Sequence, residues 1–325
     1  MSATEPVTGP LARAHRHLGI VAHNPMAAVR AIIMGALLVW ALATPSFLSM
    51  PSLTALLTTA SVIGCLAAGM TFITISGNIM SFALGATAAA SAVVFVRILN
   101  TAGLAPALIG TLIFGGITTG LQGLGIGWLR ANPIIVSIAA NVLIYGGASW
   151  LTANETINAA PGASSALLKG AVGGIPIEFL IFLGLIAVGQ IILSLTVFGR
   201  NLLLIGSGLP TAEAVGLPIT RAVAGGYFWA GMFTAVSGML LAIRYDQGNM
   251  SFAVHYDYDA IAAVLVGGTP IQGGDGSMVR TLFGVAAISV IQVVLLLYGF
   301  AEEWRYLLTG FIVLLVIILY SGRWG

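Results

Sequence analysis

Between Arg30 and Arg97 the chain has no Asp, Glu, Lys or Arg. A helix that crosses the hydrocarbon core of a bilayer needs about 20 apolar residues, so this stretch alone accommodates about three. Breaks fall from Thr44-Pro45-Ser46 to Pro51-Ser52 and again at Ser76-Gly77-Asn78. Over all 325 residues only 7% are charged, against about 25% in a soluble domain. The chain lacks the residues to build a water-facing surface, so lipid must be the solvent for most of it. A β-barrel would alternate apolar and polar residues over segments of about ten. Here the apolar runs are continuous, and the 42 glycines lie among Ala, Ile, Leu and Val. Small residues let membrane helices approach backbone to backbone. The pattern predicts an all-α integral membrane protein.

Apolar runs place spans at about 30–44, 53–75, 81–98, 103–120, 132–152, 177–198 and 222–243, a shorter one at 259–272, then 279–298 and 304–320. These make about ten transmembrane helices, a single membrane domain over 30–322 behind an N-terminal tail, 1–29. With both termini cytoplasmic, the inner segments hold Arg13, Arg16, Arg30, Arg130, Arg200, Arg221, Arg280 and Arg323. The outer ones hold Arg97, Lys169, Arg244 and Arg305, which satisfies the positive-inside rule. The first apolar run, ending at Ala41-Leu42-Ala43, could also be read as a signal peptide. An uncleaved first span is the expectation, since the first helix usually sets orientation.

Gly77-Asn78-Ile79-Met80-Ser81-Phe82-Ala83 is echoed by Gly248-Asn249-Met250-Ser251-Phe252-Ala253, each followed by an Ala-rich helix. Two halves of five spans would be inverted relative to one another, an arrangement transporters often use with the solute site between the repeats. Polar residues inside spans are costly unless paired or solvated. Asn78, Ser81, Asn141, Gln190 and Gln292 therefore either bond between helices or face a solute path. Neutral amides suit an uncharged, hydroxylated solute because they donate and accept without attracting ions. Phe82 could stack on a sugar ring or pack in the core. His255, Asp257 and Asp259 lie close together but lack the further ligands a metal site needs, so a solvated helix start is expected there. Cys65, the single cysteine, reads as a packing residue, and no metal site is expected. The only lysine, Lys169, is followed by Gly170 and Ala171, so the chain has no phosphate-binding Gly-Lys-Ser/Thr.

Three segments together resemble the permeases of the ribose/simple-sugar ABC importer family, which is related to the branched-chain amino acid permeases. The first runs from Asp259-Ala260-Ile261-Ala262-Ala263 through Gly267-Gly268-Thr269 to Gly273-Gly274-Asp275-Gly276-Ser277. It is similar, almost position for position, to the family's segment DAIAAVVLGGTSLxGGxGS. The second is Phe198-Gly199-Arg200 followed by Gly206, Ala212, Gly216 and Leu217, with Gly208 where the family has Asn. The third, Ser76 to Gly85, resembles the family's GGIDLSVG but lacks its Asp.

The resemblance covers roughly residues 30–320. It implies a permease subunit of a bacterial ABC importer in the inner membrane, working as a homo- or heterodimer. Its partners would be a periplasmic binding protein and two ATPase subunits, which would hold the ATP and Mg; this chain would be a transport subunit without cofactor or catalysis. Within the inner loop 199–221, the resemblance implies a coupling segment at Gly206, Gly208, Pro210, Thr211, Ala212, Glu213, Gly216 and Leu217. Pro210 can open a helix there. Glu213 could pair with an Arg of the motor or favour the helix N-terminus. Gly267, Gly268, Gly273, Gly274 and Gly276 form either a tight turn that lets a short helix pass or a nest of N–H groups for an anion. The solute implied is a monosaccharide or similar small molecule. The rival reading is a secondary transporter driven by an ion gradient; acidic residues confined to span ends argue against it.

Overall fold

The computed structural model of the chain describes residues 25–160 and 169–321. Arg13 and Arg16 in the tail, Arg323, and residues 161–168 of the longest expected outer loop lie outside them. The helices in chain order are α1 (Pro25–Ala43), α2 (Met50–Ile75), α3 (Leu84–Ala102), α4 (Leu104–Leu129) and α5 (Pro133–Leu151), then α6 (Ile177–Leu195), α7 (Val197–Ser207), α8 (Leu209–Ala214) and α9 (Ile219–Tyr245), then α10 (Tyr256–Gly267), α11 (Met278–Leu297) and α12 (Glu302–Ser321). Four two-residue strands join them, β1 (Ile157–Asn158), β2 (Ala171–Val172), β3 (Ile175–Pro176) and β4 (Gln247–Gly248), pairing β1 with β4 and β2 with β3.

Local chemistry sets the boundaries. Ser49 caps α2 by accepting from the Ser52 amide, with Pro51 in the first turn. Asn132 does the same for α5 through the Ile134 amide, ahead of Pro133. A proline there loses nothing, because a first-turn N–H has no helical partner. Ser277 caps α11 by accepting from the Arg280 amide.

Among the described residues, seven helices are long and apolar enough to cross a membrane: α2, α3, α4, α5, α6, α9 and α11. Helices α1, α10 and α12 fall where the other three spans were expected. The expected span at 259–272 needs correction. Its helix runs from Tyr256 to Gly267, 12 residues or about 18 Å, short of a core about 30 Å thick. It stops because Gly268 turns left-handed at φ 91°.

Helix α9 packs against α2, α3 and α4, while α2 also meets α6, α10 and α11. These two longest central helices carry the main core, from Leu66, Phe72 and Ile73 on α2 to Tyr227, Ala230 and Phe233 on α9. One end of the bundle gathers residues 75–78, 129–132, 196–218 and 270–276, and is called the loop end below. The other end is fastened by the β1–β4 pair, by Asn100 bonding to the Asn158 carbonyl and the Ala160 amide, and by a Lys169–Asp246 ion pair.

Helix crossings depend on missing side chains. A Cβ on Gly284 of α11 would overlap the Ala263 carbonyl oxygen of α10. On Gly184 of α6 it would meet nothing within 4 Å. Gly284→Ala is therefore expected to destabilise the detergent-solubilised chain by about 1–3 kcal/mol, the usual penalty for overpacking. Gly184→Ala should leave the melting temperature unchanged or slightly raised. Thermal unfolding followed by size-exclusion chromatography checks both.

Candidate functional site

Two stretches leave the helical ladder inside the bundle. After α2 ends at the loop end, residues 76–83 fold back along it. The Ser81 amide points to the Met70 sulfur at 3.4 Å, and Ser81 is fully buried. Helix α3 therefore starts inside the molecule. Past the far end of α9, the chain descends along α3: Gly248 lies against Val93, while Ala253 and Asp257 lie against Gly85. Those eight residues of α3 correspond to about 12 Å of descent. Helix α10 thus also starts inside, and the beginnings of α3 and α10 meet. The joint is a hydrogen bond of 2.7 Å from the Gly85 amide to Asp257 Oδ1, across 172 positions of sequence.

Beside this joint lies a cavity of about 450 Å³. Helix α3 and the residues just before it contribute Phe82, Gly85 and Ala86. The segment entering α10 contributes Met250, Phe252, His255, Asp257 and Tyr258. Helix α5 closes the third side with Ile138, Asn141, Val142 and Tyr145. The Phe82 and Tyr258 rings lie 6.2 Å apart, and His255 stacks on Tyr258 at 5.9 Å. Asn141 Nδ2 donates to the Phe82 carbonyl at 2.5 Å, which gives a peptide group outside any helix its partner. In α5 only Ser137 is buried, and Ile135, Val142 and Leu143 are exposed.

At the loop end the backbone itself makes the contacts. The Gly274 amide donates to the Ile75 carbonyl at 3.0 Å. A Cβ on Gly206 would overlap that same carbonyl and lie 2.5 Å from the Gly274 nitrogen. One on Gly273 would come within 2.5 Å of the Gly77 Cα. Gly273 and Gly274 also need positive φ, 82° and 74°. The end of α2, the end of α7 and the turn after α10 thus form one knot. Gly276 packs there on Ile75, and Gly267 on the start of α11, so the glycine run is a packing turn. Next to the knot, a second cavity of about 550 Å³ is lined by Asn78, Gln272, Trp128, Arg130, Gly206 and Glu213, among others.

The expected site residues separate accordingly. Phe82 and Asn141 face the first cavity, Ser81 is sealed beside it, and Asn78 lines the second while donating to Ser76 at 2.8 Å. Gln292 on α11 is half-buried and lines neither. Gln190 accepts from the Met278 amide, the interhelical bond allowed for it. Segment 199–221 is mostly two short helices: α7, capped by Thr196, and α8, which carries Pro210 in its first turn, with Thr211, Ala212 and Glu213. Gly208 precedes α8, and Gly216 and Leu217 close it, their amides donating to Glu213 and Ala212. Glu213 pairs with Arg130 of this chain at 2.7 Å, an alternative the sequence did not suggest. The solvated helix start expected at Asp257 and Asp259 needs correction, because they are 7% and 1% exposed. Sequence reasoning missed Tyr145, Tyr258 and Asp257 as cavity residues. The repeated Gly-Asn…Ser-Phe-Ala signal, whose second copy runs into α10, could have located Asp257 and Tyr258, whereas nothing in the sequence pointed to Tyr145.

Broken helices meeting at a cavity inside an apolar bundle define a multi-pass membrane protein of transporter type. The family described as the permease component of branched-chain amino acid transport systems matches residues 52–317, and the chain belongs to it. It is 30% identical over 213 residues to a probable ABC transporter permease protein of Escherichia coli (strain K12), YphD, a match spanning 66% of this chain and 56% of that relative. It is 26% identical to the galactose/methyl galactoside import permease protein MglC of the same organism, over 86% of this chain and 89% of MglC. It is 28% identical to the ribose import permease protein RbsC of Bacillus subtilis (strain 168), over 85% and 86%. The resemblance read from the three motifs thus holds: the chain is similar to permeases of simple-sugar ABC importers. No solved structure matches.

The knot predicts that Gly206→Ala separates α7 from α2 and loosens the loop end. Tryptic cleavage at Arg200 and Arg221 of the solubilised protein should accelerate at least several-fold. Gly208→Ala, where a Cβ meets only Thr211 at ordinary contact distance, should cleave as the unaltered chain does.

Proposed function

We propose that the chain is the membrane-spanning subunit of a bacterial ABC importer. It takes a small polar solute, a monosaccharide or similar, from a periplasmic binding protein and passes it inward through the first cavity. One observation supports this best: the segment bearing Phe82 is covalently continuous with the glycine knot, and the knot holds the loop-end helices backbone to backbone. Movement of α7 and α8 thereby reaches the cavity wall without a compliant side chain between. In this reading the loop end is cytoplasmic and the membrane is the inner one. The two halves of about five helices are inverted repeats meeting at the joint of α3 and α10. Segment 206–217 docks on a separate ATPase that holds ATP and Mg. A second permease, identical or not, covers the exposed face of α5 and closes the cavity.

The experiment is co-reconstitution with the ATPase and binding protein encoded beside it. Binding protein plus sugar should stimulate ATP hydrolysis. Pro210→Ala with Glu213→Ala should cut solute uptake about tenfold relative to hydrolysis, with the complex still assembled. Solute moving down an ion gradient, with no ATPase bound, would replace this reading with the secondary transporter.

A further inference from the structure

We propose that Asp257 sets the charge selectivity of the first cavity, so that it admits neutral hydroxylated or cationic solutes and refuses anionic ones. This rests on reading that cavity as the solute path. Helix starts aimed at a cavity normally make an anion site, through free N–H groups and the positive end of the dipole. Here that site is already filled by the protein. The Gly85 amide at the start of α3 donates to Asp257 Oδ1 at 2.7 Å. A Cβ on Gly85 would lie 2.6 Å from Asp257 Oδ2, so the whole carboxylate sits against the helix end. Helix α10 has no side-chain cap bond, but it carries Asp257 and Asp259 in its first turn, where their charge opposes that of its dipole.

That carboxylate is met by the Gly85 amide and the end of α3 rather than by a cationic side chain. Among the described residues around the cavity there is no lysine or arginine. An anion entering would meet a carboxylate 93% buried, in a partly enclosed site where charges interact more strongly than in water. The rest of the wall points the same way. Phe82, Phe252, Tyr145 and Tyr258 present aromatic rings, whose negative faces attract C–H groups and cations. Asn141 has one of its two N–H groups committed to the Phe82 carbonyl and keeps its Oδ1 as an acceptor beside the Asp257 carboxylate. A solute fits best if it brings hydrogen-bond donors, either hydroxyl or ammonium.

Cys65 is fully buried, so a cysteine placed on the wall is the reactive thiol. Tyr145→Cys would be made in the full-length chain, reconstituted in nanodiscs of neutral phosphatidylcholine at pH 8. Rates of modification by a trimethylammonium and a sulfonate methanethiosulfonate, each normalised to a free thiol, give a cation-to-anion ratio. The ratio expected is tenfold or more. Asp257→Asn keeps the shape and an acceptor for the Gly85 amide, and should bring the ratio close to one. Asp257→Glu should retain the preference. A ratio near one with Asp257 intact overturns the proposal, whether or not the Asn variant folds. A thiol that neither reagent reaches, though it reacts after denaturation, overturns instead the solute path on which the proposal rests.

Discussion

A hydrocarbon phase offers no hydrogen-bond partner to a peptide group, and this chain abandons the helix twice inside its bundle. The first break is tolerated because the protein supplies the missing partners. Asn141 supplies a donor to the Phe82 carbonyl, Asp257 an acceptor to the Gly85 amide, and Ser81 Oγ accepts from the Ala83 amide at 3.3 Å. Asn141 and Asp257 reach in from 59 and 172 positions away, and Ser81 acts from within the break itself. The two breaks therefore cannot form separately from the packing of α3, α5 and α10, and the cavity is a product of the same bonds. A permease needs non-helical backbone where a solute must be recognised, and lipid permits it only where protein encloses it.

Close backbone contact does the corresponding work at the loop end. Side-chain packing can absorb a displacement by changing rotamers, whereas peptide groups in contact must move together or separate. The end of α2, the end of α7 and the 270–276 turn meet through Gly77, Gly206, Gly273 and Gly274. Gly77 lies five residues before Phe82, so a shift imposed on α7 has a short path to the cavity wall. The Arg130–Glu213 pair forms a second tie, from α8 to the corner between α4 and α5, but its partners are 76% and 39% exposed. Exposed pairs of this kind contribute about 0–1 kcal/mol. The glycine knot is the stiffer connection.

Much of this was legible in the sequence. Charge-free runs located the long helices, and the Pro and Ser residues from 45 to 52 marked the break before α2. The glycine run was open between a tight turn and an anion nest, and it packs as a turn. The errors share a cause. At 259–272 the apolar pattern continued past the helix end, since hydropathy does not register that Gly268 adopts a left-handed conformation. Asp257 was read as solvated because carboxylates at helix starts usually are. What keeps it buried is an amide 172 residues away, and no local pattern encodes that pairing. Glu213 was open between an external partner and its own helix, and the third option, Arg130, follows only from the way α4 ends beside α8. The repeated Gly-Asn…Ser-Phe-Ala was a long-range signal, and both of its copies lead into the joint.

The three walls of the cavity are not held equally. Helix α3 and the approach to α10 are fixed by the Asp257 carboxylate and by backbone contact at Gly248 and Gly85. Helix α5 buries only Ser137, and its described bond into the cavity region is the single one from Asn141 to the Phe82 carbonyl. Displacing it separates little apolar surface from the rest of this chain. Opening the cavity by moving α5 therefore costs less than opening it between α3 and α10. Its remaining tie leads to the peptide of Phe82, in the segment that the glycine knot connects to the loop end. The least anchored wall and the stiffest connection thus converge on one residue, which is where a conformational change beginning at α8 would be expressed.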